Sequence, residues 1–182
     1  MLKNNQILDE KEKILHEISK EVIFPLEEED KKLIKEAYEY LRNSQDEKLA
    51  EKYNLRPGMG LAFVQLGKLK RIFIISYKEE DDSFTEYTVI NPKIISYSNE
   101  LVYVEEGEGC LSVNREVEGI VPRHARITVG YYDEEGNYKE ERVREEMAVA
   151  FQHEMDHLDG IMFTDRIDKK NPFRNKDKMR SI

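Results

Sequence analysis

The stretch 153–163 reads HEMDHLDGIMF and contains the H-E-x-x-H pattern of a metal-binding helix. His153 and His157 are four residues apart, so a helix places both imidazoles on one face. Glu154, beside the first histidine, is placed to act as a general base. A catalytic zinc-type site usually has three protein ligands and one open position. The rest of the chain must therefore supply a third ligand.

Apolar residues around the motif predict that it lies on a buried helix. The helix is expected from about residue 145, and Gly160 is placed to end it. Its apolar residues recur at helical spacing: Met147, Ala148, Phe151, Met155 and Leu158. Because two buried imidazoles need polar partners, this setting favours a metal site over two solvated histidines on a surface helix.

The remaining sequence predicts helices first and then many strands. Helices are expected at 10–22, 27–42 and about 44–53, where SQDE at 44–47 is typical of a capping box. After RPGMG at 56–60, β-branched and aromatic residues predict strands at 71–77, 85–90, 93–97, 101–105, 115–121, 126–132 and 138–143. The order predicts an α+β fold. Antiparallel sheets would pack around the C-terminal metal-binding helix, with helices at the N-terminus and one domain over residues 1–182.

Composition narrows the classes of partner. The chain has 182 residues, of which 39% are hydrophobic, and this is enough for one core. Its formal net charge of −9 argues against DNA as a partner. The segment of about 166–182 is basic, and we expect a solvated, disordered tail rather than a binding arm. A transient contact of this tail with the ribosome is a hypothesis from charge alone.

Cysteine usage and the absence of long apolar runs favour the cytoplasm as the compartment of this protein. Cys110 is the one cysteine, so an internal disulfide is impossible and a reducing compartment is favoured. The first residues, MLKNNQILDEKEK, lack the apolar region of a signal peptide and are too acidic for a transit peptide. No run approaches the length of a membrane span. We therefore expect a soluble cytoplasmic protein without a membrane partner.

The third ligand can be sought by elimination. A metzincin would have a histidine where Phe163 stands, and a thermolysin-like enzyme has a downstream glutamate, whereas Glu154 is the last glutamate here. His16 and His124 are expected to be surface residues. Cys110 remains, in GEGCLS, and a thiolate is a good ligand for zinc or iron. A small buried side chain is the competing interpretation, but the missing ligand favours metal binding.

Three motifs in order make this sequence resemble a peptide deformylase. They are GMGLAFVQ at 58–65, EGCLS at 108–112 and HEMDH at 153–157. The second and third match the family pattern fully, and the first departs only where Phe63 replaces an alanine. Residues 26–56 and the ending DRIDKKNPF resemble the longer variety found in Gram-positive and mycoplasma-like bacteria.

The resemblance implies a reaction and a cofactor. The enzyme would remove the N-formyl group from the formyl-methionine of newly synthesised peptides and release formate. Cys110, His153 and His157 would hold one divalent metal, expected to be Fe(II), although Zn(II), Ni(II) and Co(II) also suit these ligands. Glu154 would act as general base and then as general acid.

The resemblance also implies roles for residues that pattern alone leaves open. The side-chain amide of Gln65 and the backbone N–H of Leu111 would stabilise the oxyanion. Gly58 and Gly60 would bind substrate, with Gly60 offering its backbone in the manner of strand addition. An apolar pocket near the histidines would take the methionine side chain.

Three further residues would support the site. Glu108 and Arg123 resemble a buried ion pair that braces the cysteine segment, although two solvated charges are an equal alternative. Asp156 would orient the histidine helix or a ligating imidazole. Phe63 could tilt the nearby Gln65 by overpacking, or it could fill space left by a smaller partner.

Two other functions stay open at this point. One is a different small metallopeptidase, which would cleave internal peptide bonds. The other is a non-catalytic protein, either a homologue that binds formylated peptides or a structural zinc protein. Structural zinc sites are closed by four ligands, whereas this chain offers three good candidates.

Overall fold

The computed structural model describes residues 2–182. They form N-terminal helices, then two sheets, and a buried helix near the C-terminus, which confirms the predicted α+β fold. The helices are α1 (Glu28–Ser44), α2 (Glu47–Tyr53), α3 (Glu145–Leu158) and α4 (Phe163–Arg166). The strands are β1 (Gly60–Ala62), β2 (Ile72–Lys78), β3 (Phe84–Tyr97), β4 (Leu101–Tyr103), β5 (Arg123–His124), β6 (Arg126–Tyr132), β7 (Tyr138–Arg144) and β8 (Arg180–Ser181).

The larger sheet has the strand order β1-β2-β3-β6-β7 and is antiparallel throughout. Strand β2 alternates between two apolar clusters, with Phe73 and Ile75 in one and Ile72 and Ile74 in the other. Successive side chains of a strand point to opposite faces, so this sheet is covered on both sides. The smaller sheet has the order β5-β4-β8.

Helix α3 is buried from Ala148 to Leu158. Phe151 packs edge-on against Phe73 and Tyr87, with ring centroids 5.4 Å and 5.2 Å apart. Such aromatic contacts add to the free energy gained by burial. The helix ends as predicted, with Gly160 in a left-handed conformation at φ +71°. The H-E-x-x-H motif therefore lies on a helix that is fixed to the sheet.

Two predicted elements are wrong. Residues 10–22 contain only a 3₁₀ helix, Lys13–His16, because Ser19 and Lys20 donate their N–H groups to Leu158 and Leu69 rather than to a preceding turn. Segment 115–121 contains no strand. Its N–H at Ile120 bonds to Pro172 O instead of to a sheet neighbour.

Smaller differences concern element boundaries. The predicted strands 85–90 and 93–97 are one strand, β3, whose pairing with β6 shifts register around Pro92. Proline lacks the N–H that a regular ladder needs. Helix α2 is capped by Asp46, whose side chain accepts a bond from Leu49 N, and not by Ser44.

The basic C-terminal segment is ordered, contrary to the predicted tail. Strand β8 pairs in parallel with β4. Arg180 forms ion pairs with Glu100 and Glu145, and Lys176 pairs with Glu105. These acidic partners lie far away in sequence, so the tail could not be recognised as a strand from its own composition. Within residues 2–182, no helix is both long and apolar enough to cross a membrane.

Candidate active site

Three candidate ligands come together in the folded chain. The ligand atoms of Cys110, His153 and His157 all lie within 4.8 Å of one another. Cys110 Sγ is 3.3 Å from His157 Nε2, and the two imidazole centroids are 5.1 Å apart. The histidines lie one turn apart on α3, and the cysteine lies in the loop between β4 and β5. His16 and His124 lie elsewhere. The ring of His16 contacts the backbone carbonyl of Glu10, and the ring of His124 contacts that of Ser98.

The donor set fits a divalent metal ion. One thiol and two imidazoles suit zinc, ferrous iron and their neighbours. His153 uses Nδ1 for a contact with Glu108, which leaves Nε2 for a metal. The ring of His157 is fully buried and presents Nε2 to Cys110. Three protein donors leave room for water, as a catalytic rather than a structural site requires.

The two imidazoles differ electrostatically. Burial favours neutral His153, but its contacts with Cys110 and Glu108 outweigh burial and raise its pKa well above the usual value. Burial and the charge of His153 lower the pKa of His157. His157 is therefore neutral, with a lone pair to offer. Metal binding at such sites displaces protons, so a cation would replace the proton of His153.

Glu108 and Arg123 form a buried pair, each side chain 3% exposed. Arg123 donates from Nε to Glu108 Oε1 at 2.7 Å and from Nη2 to Oε2 at 2.9 Å. Burial would raise the pKa of Glu108, but the bonds from Arg123 and His153 outweigh it and lower that pKa to about 2. Nη1 of Arg123 donates to Asp156 at 2.6 Å. The pair and Asp156 thus form one network behind His153.

Glu154 lies buried beside the ligands. Its Oε2 has no hydrogen-bond partner in the part of the chain that the structure describes. Burial is the main cause that raises its pKa to about 7, and the charges of Glu108 and Asp156 add to this. A Cβ added at Gly60 would clash with Glu154 Oε1 and lie 2.8 Å from its Cδ. Only glycine lets the β1 backbone come this close to the carboxylate.

The amide of Gln65 is held in one orientation. Its Oε1 accepts a bond from Ala62 N at 2.8 Å, while Nε2 donates to Ser112 Oγ at 3.0 Å and lies 3.5 Å from Cys110 Sγ. The NH₂ group therefore faces the candidate ligands. Phe63 is fully buried in the apolar cluster that contains Ile72 and Ile74, called here the second apolar cluster. It therefore fills core space without displacing this amide.

Two supporting residues were missed in the sequence. Ser112 anchors the Gln65 amide, and its presence in EGCLS was the available signal. Arg56 donates to the backbone carbonyls of Cys110, Leu111 and Val113 at 3.2, 2.9 and 2.8 Å. It thereby fixes the loop that carries the cysteine. A single arginine before Pro57 gives no pattern from which this role could be read.

A cleft of about 400 Å³ opens onto these groups. Its lining includes Gly58, Gly60, Gln65, Cys110, His153 and Glu154. Val104, Ala150 and Ile182 make up an apolar part of its wall, and Glu146 also lines it. The volume lies in the range of small-ligand pockets, and it suits an extended peptide end with one apolar side chain.

An α+β fold that gathers a thiol and two imidazoles beside a buried glutamate defines a class, the single-metal hydrolases. The family can be assigned within that class. A family model described as polypeptide deformylase matches residues 4–173, and the chain belongs to this family.

Individual relatives agree with this assignment. The peptide deformylase of Shouchella clausii is 46% identical over 175 residues, which cover 96% of each chain. The crystal structure of the Thermotoga maritima peptide deformylase superposes with a TM-score of 0.71 at 32% identity, covering 89% of this chain and 96% of that one. A class I type b peptide deformylase from Acinetobacter baumannii with Met-Ala-Ser bound gives 0.69 at 29% identity, covering 88% and 96%. The protein is a metal-dependent hydrolase that removes the N-formyl group from newly synthesised peptides.

Proposed function

We propose that Cys110, His153 and His157 hold the catalytic metal and that Glu154 moves the proton during deformylation. The observation that carries this proposal is the convergence of three donor atoms within 4.8 Å, next to a buried carboxylate. The donors come from two segments more than forty residues apart in sequence, and the fold alone brings them together.

A bound divalent metal supplies Lewis acidity and lowers the pKa of a water ligand from about 15.7 to about 7. The chain supplies the proton transfer. Glu154 accepts the proton of the attacking water and then donates it to the amine nitrogen that leaves as formate is released. Its pKa of about 7 suits both steps near neutral pH. The unpartnered Oε2, among residues 2–182, is the oxygen available for this transfer.

The oxygen of the formyl group gains negative charge during attack and needs hydrogen-bond donors. We assign this role to the side-chain amide of Gln65 and to the backbone N–H of Leu111. The bonds from Ala62 and to Ser112 hold the amide with its NH₂ toward Cys110. A donor oriented before reaction costs no reorganisation in the transition state.

The substrate peptide is assigned to the edge of β1. This strand pairs with β2 on one side and is the outer strand of the larger sheet. An extended peptide can add to such an edge through main-chain hydrogen bonds. Gly58 and Gly60 line the cleft there. The apolar wall at Val104, Ala150 and Ile182 then receives the methionine side chain.

Fe(II) is the proposed natural metal, with Zn(II), Ni(II) and Co(II) as substitutes for the same ligands. Affinity order does not decide which metal a cell loads. The test is anaerobic loading of metal-free protein with each ion, followed by turnover of a formyl-Met peptide. Higher rates with Fe(II) or Ni(II) than with Zn(II) are expected, and equal rates would count against the proposal.

The proposed function is tested by metal analysis beside a formate-release assay. Mass spectrometry on formylated and unformylated peptides should show loss of the formyl group alone, with about one metal per chain. Cleavage of internal peptide bonds would indicate a general metallopeptidase instead. Tight binding of formyl-Met peptides without turnover would indicate a non-catalytic homologue.

The cellular setting is part of the proposal. Formyl-methionyl chains emerge from bacterial ribosomes, so we place the reaction in the cytoplasm and treat residues 1–182 as one catalytic domain. A transient ribosome contact stays a prediction. The cations Lys176 and Arg180 are already paired with carboxylates. Co-sedimentation of ribosomes with the full chain and with a chain truncated after Asp168 would test it.

A further inference from the structure

A chain of charged groups runs from α4 to the back of His153. Arg166 donates from Nε to Asp156 Oδ2 and from Nη2 to Oδ1, both at 2.5 Å. Arg123 donates from Nη1 to the same Oδ2, and its Nε and Nη2 donate to the carboxylate of Glu108. Glu108 Oε2 then contacts His153 Nδ1 at 2.8 Å. Arg166 is the outermost member, with a side chain 42% exposed.

With His153 neutral, as a metal ligand is, the charges of this network balance only when Arg166 is included. Glu108 and Asp156 carry two negative charges, and Arg123 supplies one positive charge to both. A carboxylate as buried as Asp156, 9% exposed in its side chain, needs compensation close by. Arg166 gives this compensation through a bidentate pair of hydrogen bonds, which also fixes the orientation of the carboxylate.

Without Arg166, the strongest remaining attraction on Asp156 is Arg123. A guanidinium that turns to hold Asp156 with two nitrogens cannot keep both nitrogens on Glu108. Glu108 would then hold the imidazole of His153 less firmly. The same helix, α4, also carries Phe163, whose ring stacks on His153 with centroids 5.9 Å apart and planes at 24°. Helix α4 thus reaches the imidazole of His153 in two ways, by the direct contact of Phe163 and by the chain of hydrogen bonds that begins at Arg166.

We propose that Arg166 is a positioning residue for deformylation: by holding Asp156, it keeps Arg123 on Glu108 and so fixes the ring of His153. The inference rests on the proposed metal ligation by His153. Residues that orient a metal-bound histidine typically change metal affinity or activity by about 10- to 100-fold when they are lost.

The central experiment compares Arg166→Met with the wild-type chain. We expect kcat to fall by about 10-fold, KM to change by less than about twofold, and the rate of metal release to a chelator to rise by about 10-fold. Arg166→Lys restores the charge with a single-point donor and should give intermediate values. Arg174→Met is the matched control, since Arg174 lies in the same C-terminal segment but pairs with Asp168, which is outside the network. It should match the wild type.

The Asp156→Asn background separates positioning from a general loss of structure. The amide needs no counter-charge, so Arg166→Met should change kcat there by less than about twofold. An equal loss in both backgrounds would show that Arg166 acts by another route and would overturn the inference. Absorption of the Co(II)-loaded protein gives a second measure, because a displaced His153 alters the visible bands.

The result for the wild type keeps the two proposals apart. A wild-type chain that binds no metal or releases no formate contradicts the proposed function. An active, metal-loaded wild type whose Arg166→Met variant has unchanged kcat and metal release contradicts only the role of Arg166. Far-UV circular dichroism of each variant confirms folding, and Arg166→Lys keeps the comparison informative if Arg166→Met does not fold.

Discussion

Nδ1 of His153 lies 2.8 Å from Oε2 of Glu108, and this contact joins the metal-binding candidates to the buried network behind them. The contact leaves the other ring nitrogen, Nε2, as the atom that His153 can offer to a metal. A histidine ligand oriented by a carboxylate in this way has a fixed ring direction and a more basic donor nitrogen. Arg123, on the far side of Glu108, keeps that carboxylate ionised.

Acid should remove the stabilisation that Glu108 gives. Its pKa is about 2 in the folded chain, against an ordinary value of 4.5. A carboxyl whose folded pKa is lowered stabilises the fold above its unfolded pKa and loses that effect as the pH falls toward the folded value. The effect corresponds to about 3 kcal/mol at neutral pH. Denaturant unfolding of metal-free protein should show that Glu108→Gln costs most near pH 7 and progressively less below about pH 4.5. Glu106→Gln, at an exposed position, is the control. A difference in unfolding free energy between the wild type and Glu108→Gln that does not change with pH would contradict the prediction.

Glu154→Gln should nearly abolish turnover while leaving the metal in place. The amide keeps the shape of the side chain but cannot accept the proton, and general acid–base catalysis contributes about 10²- to 10⁴-fold. Formate release and metal content should be measured on the same preparation. Glu146→Gln is the control, because Glu146 lines the same cleft and lies on the same helix. A Glu154→Gln variant with the wild-type rate would overturn the mechanism.

Gly60→Ala should inactivate the enzyme without unfolding it. The added methyl would clash with the carboxylate of Glu154 and would fill the space beside β1. We expect kcat/KM to fall by about 10²-fold, since small displacements of catalytic groups have effects of this size. Gly109→Ala is the matched control, since a Cβ there meets nothing within 4 Å. If both variants lose activity equally, the steric explanation fails.

Gln65→Ala should lower kcat more than KM. Loss of one oxyanion donor costs about 10²- to 10³-fold in kcat when that donor acts in the transition state. Ser112→Ala removes the Oγ that accepts from Gln65 Nε2 and should give a smaller loss, because the bond from Ala62 N remains. Steady-state kinetics on a formyl-Met peptide separate the two parameters. A larger loss for Ser112→Ala than for Gln65→Ala would show that the amide is not the donor.

The sequence indicated the candidate ligands, which the fold brings together, better than the residues that hold them in place. His153, His157 and Glu154 share one helix, so their spacing reported their proximity directly. Cys110 was reached by elimination, because the alternatives lacked the required residue types. The contacts of Arg56 span more than fifty residues and those of Arg166 span ten, and no periodicity in the sequence indicates them.

The same distinction explains which elements were predicted. Helix α3 and strand β6 have regular apolar patterns and fall where expected. The segments 10–22 and 115–121 contain the right residue types, but their backbone groups bond to distant loops. Strand β8 has no apolar alternation, since its partner β4 and its ion pairs define it. Local pattern predicts an element only where local hydrogen bonds win over tertiary ones.

Phe63→Ala should reduce stability strongly and catalysis weakly. Phe63 is fully buried in the second apolar cluster, whereas the neighbouring Gln65 faces the cleft. Removing a buried phenylalanine side chain costs about 3–5 kcal/mol, because a cavity remains. For a chain of this length, that lowers the thermal midpoint by on the order of 10 °C.

Activity should be compared at a temperature where wild type and variant are both folded. There we expect Phe63→Ala to change kcat/KM by less than about tenfold, well below the effect of Glu154→Gln. Phe63→Leu retains much of the buried volume and should recover most of the lost midpoint with near wild-type kinetics. A folded Phe63→Ala variant as inactive as Glu154→Gln would mean that the aromatic ring, and not only Ala62 and Ser112, holds the amide of Gln65 in place.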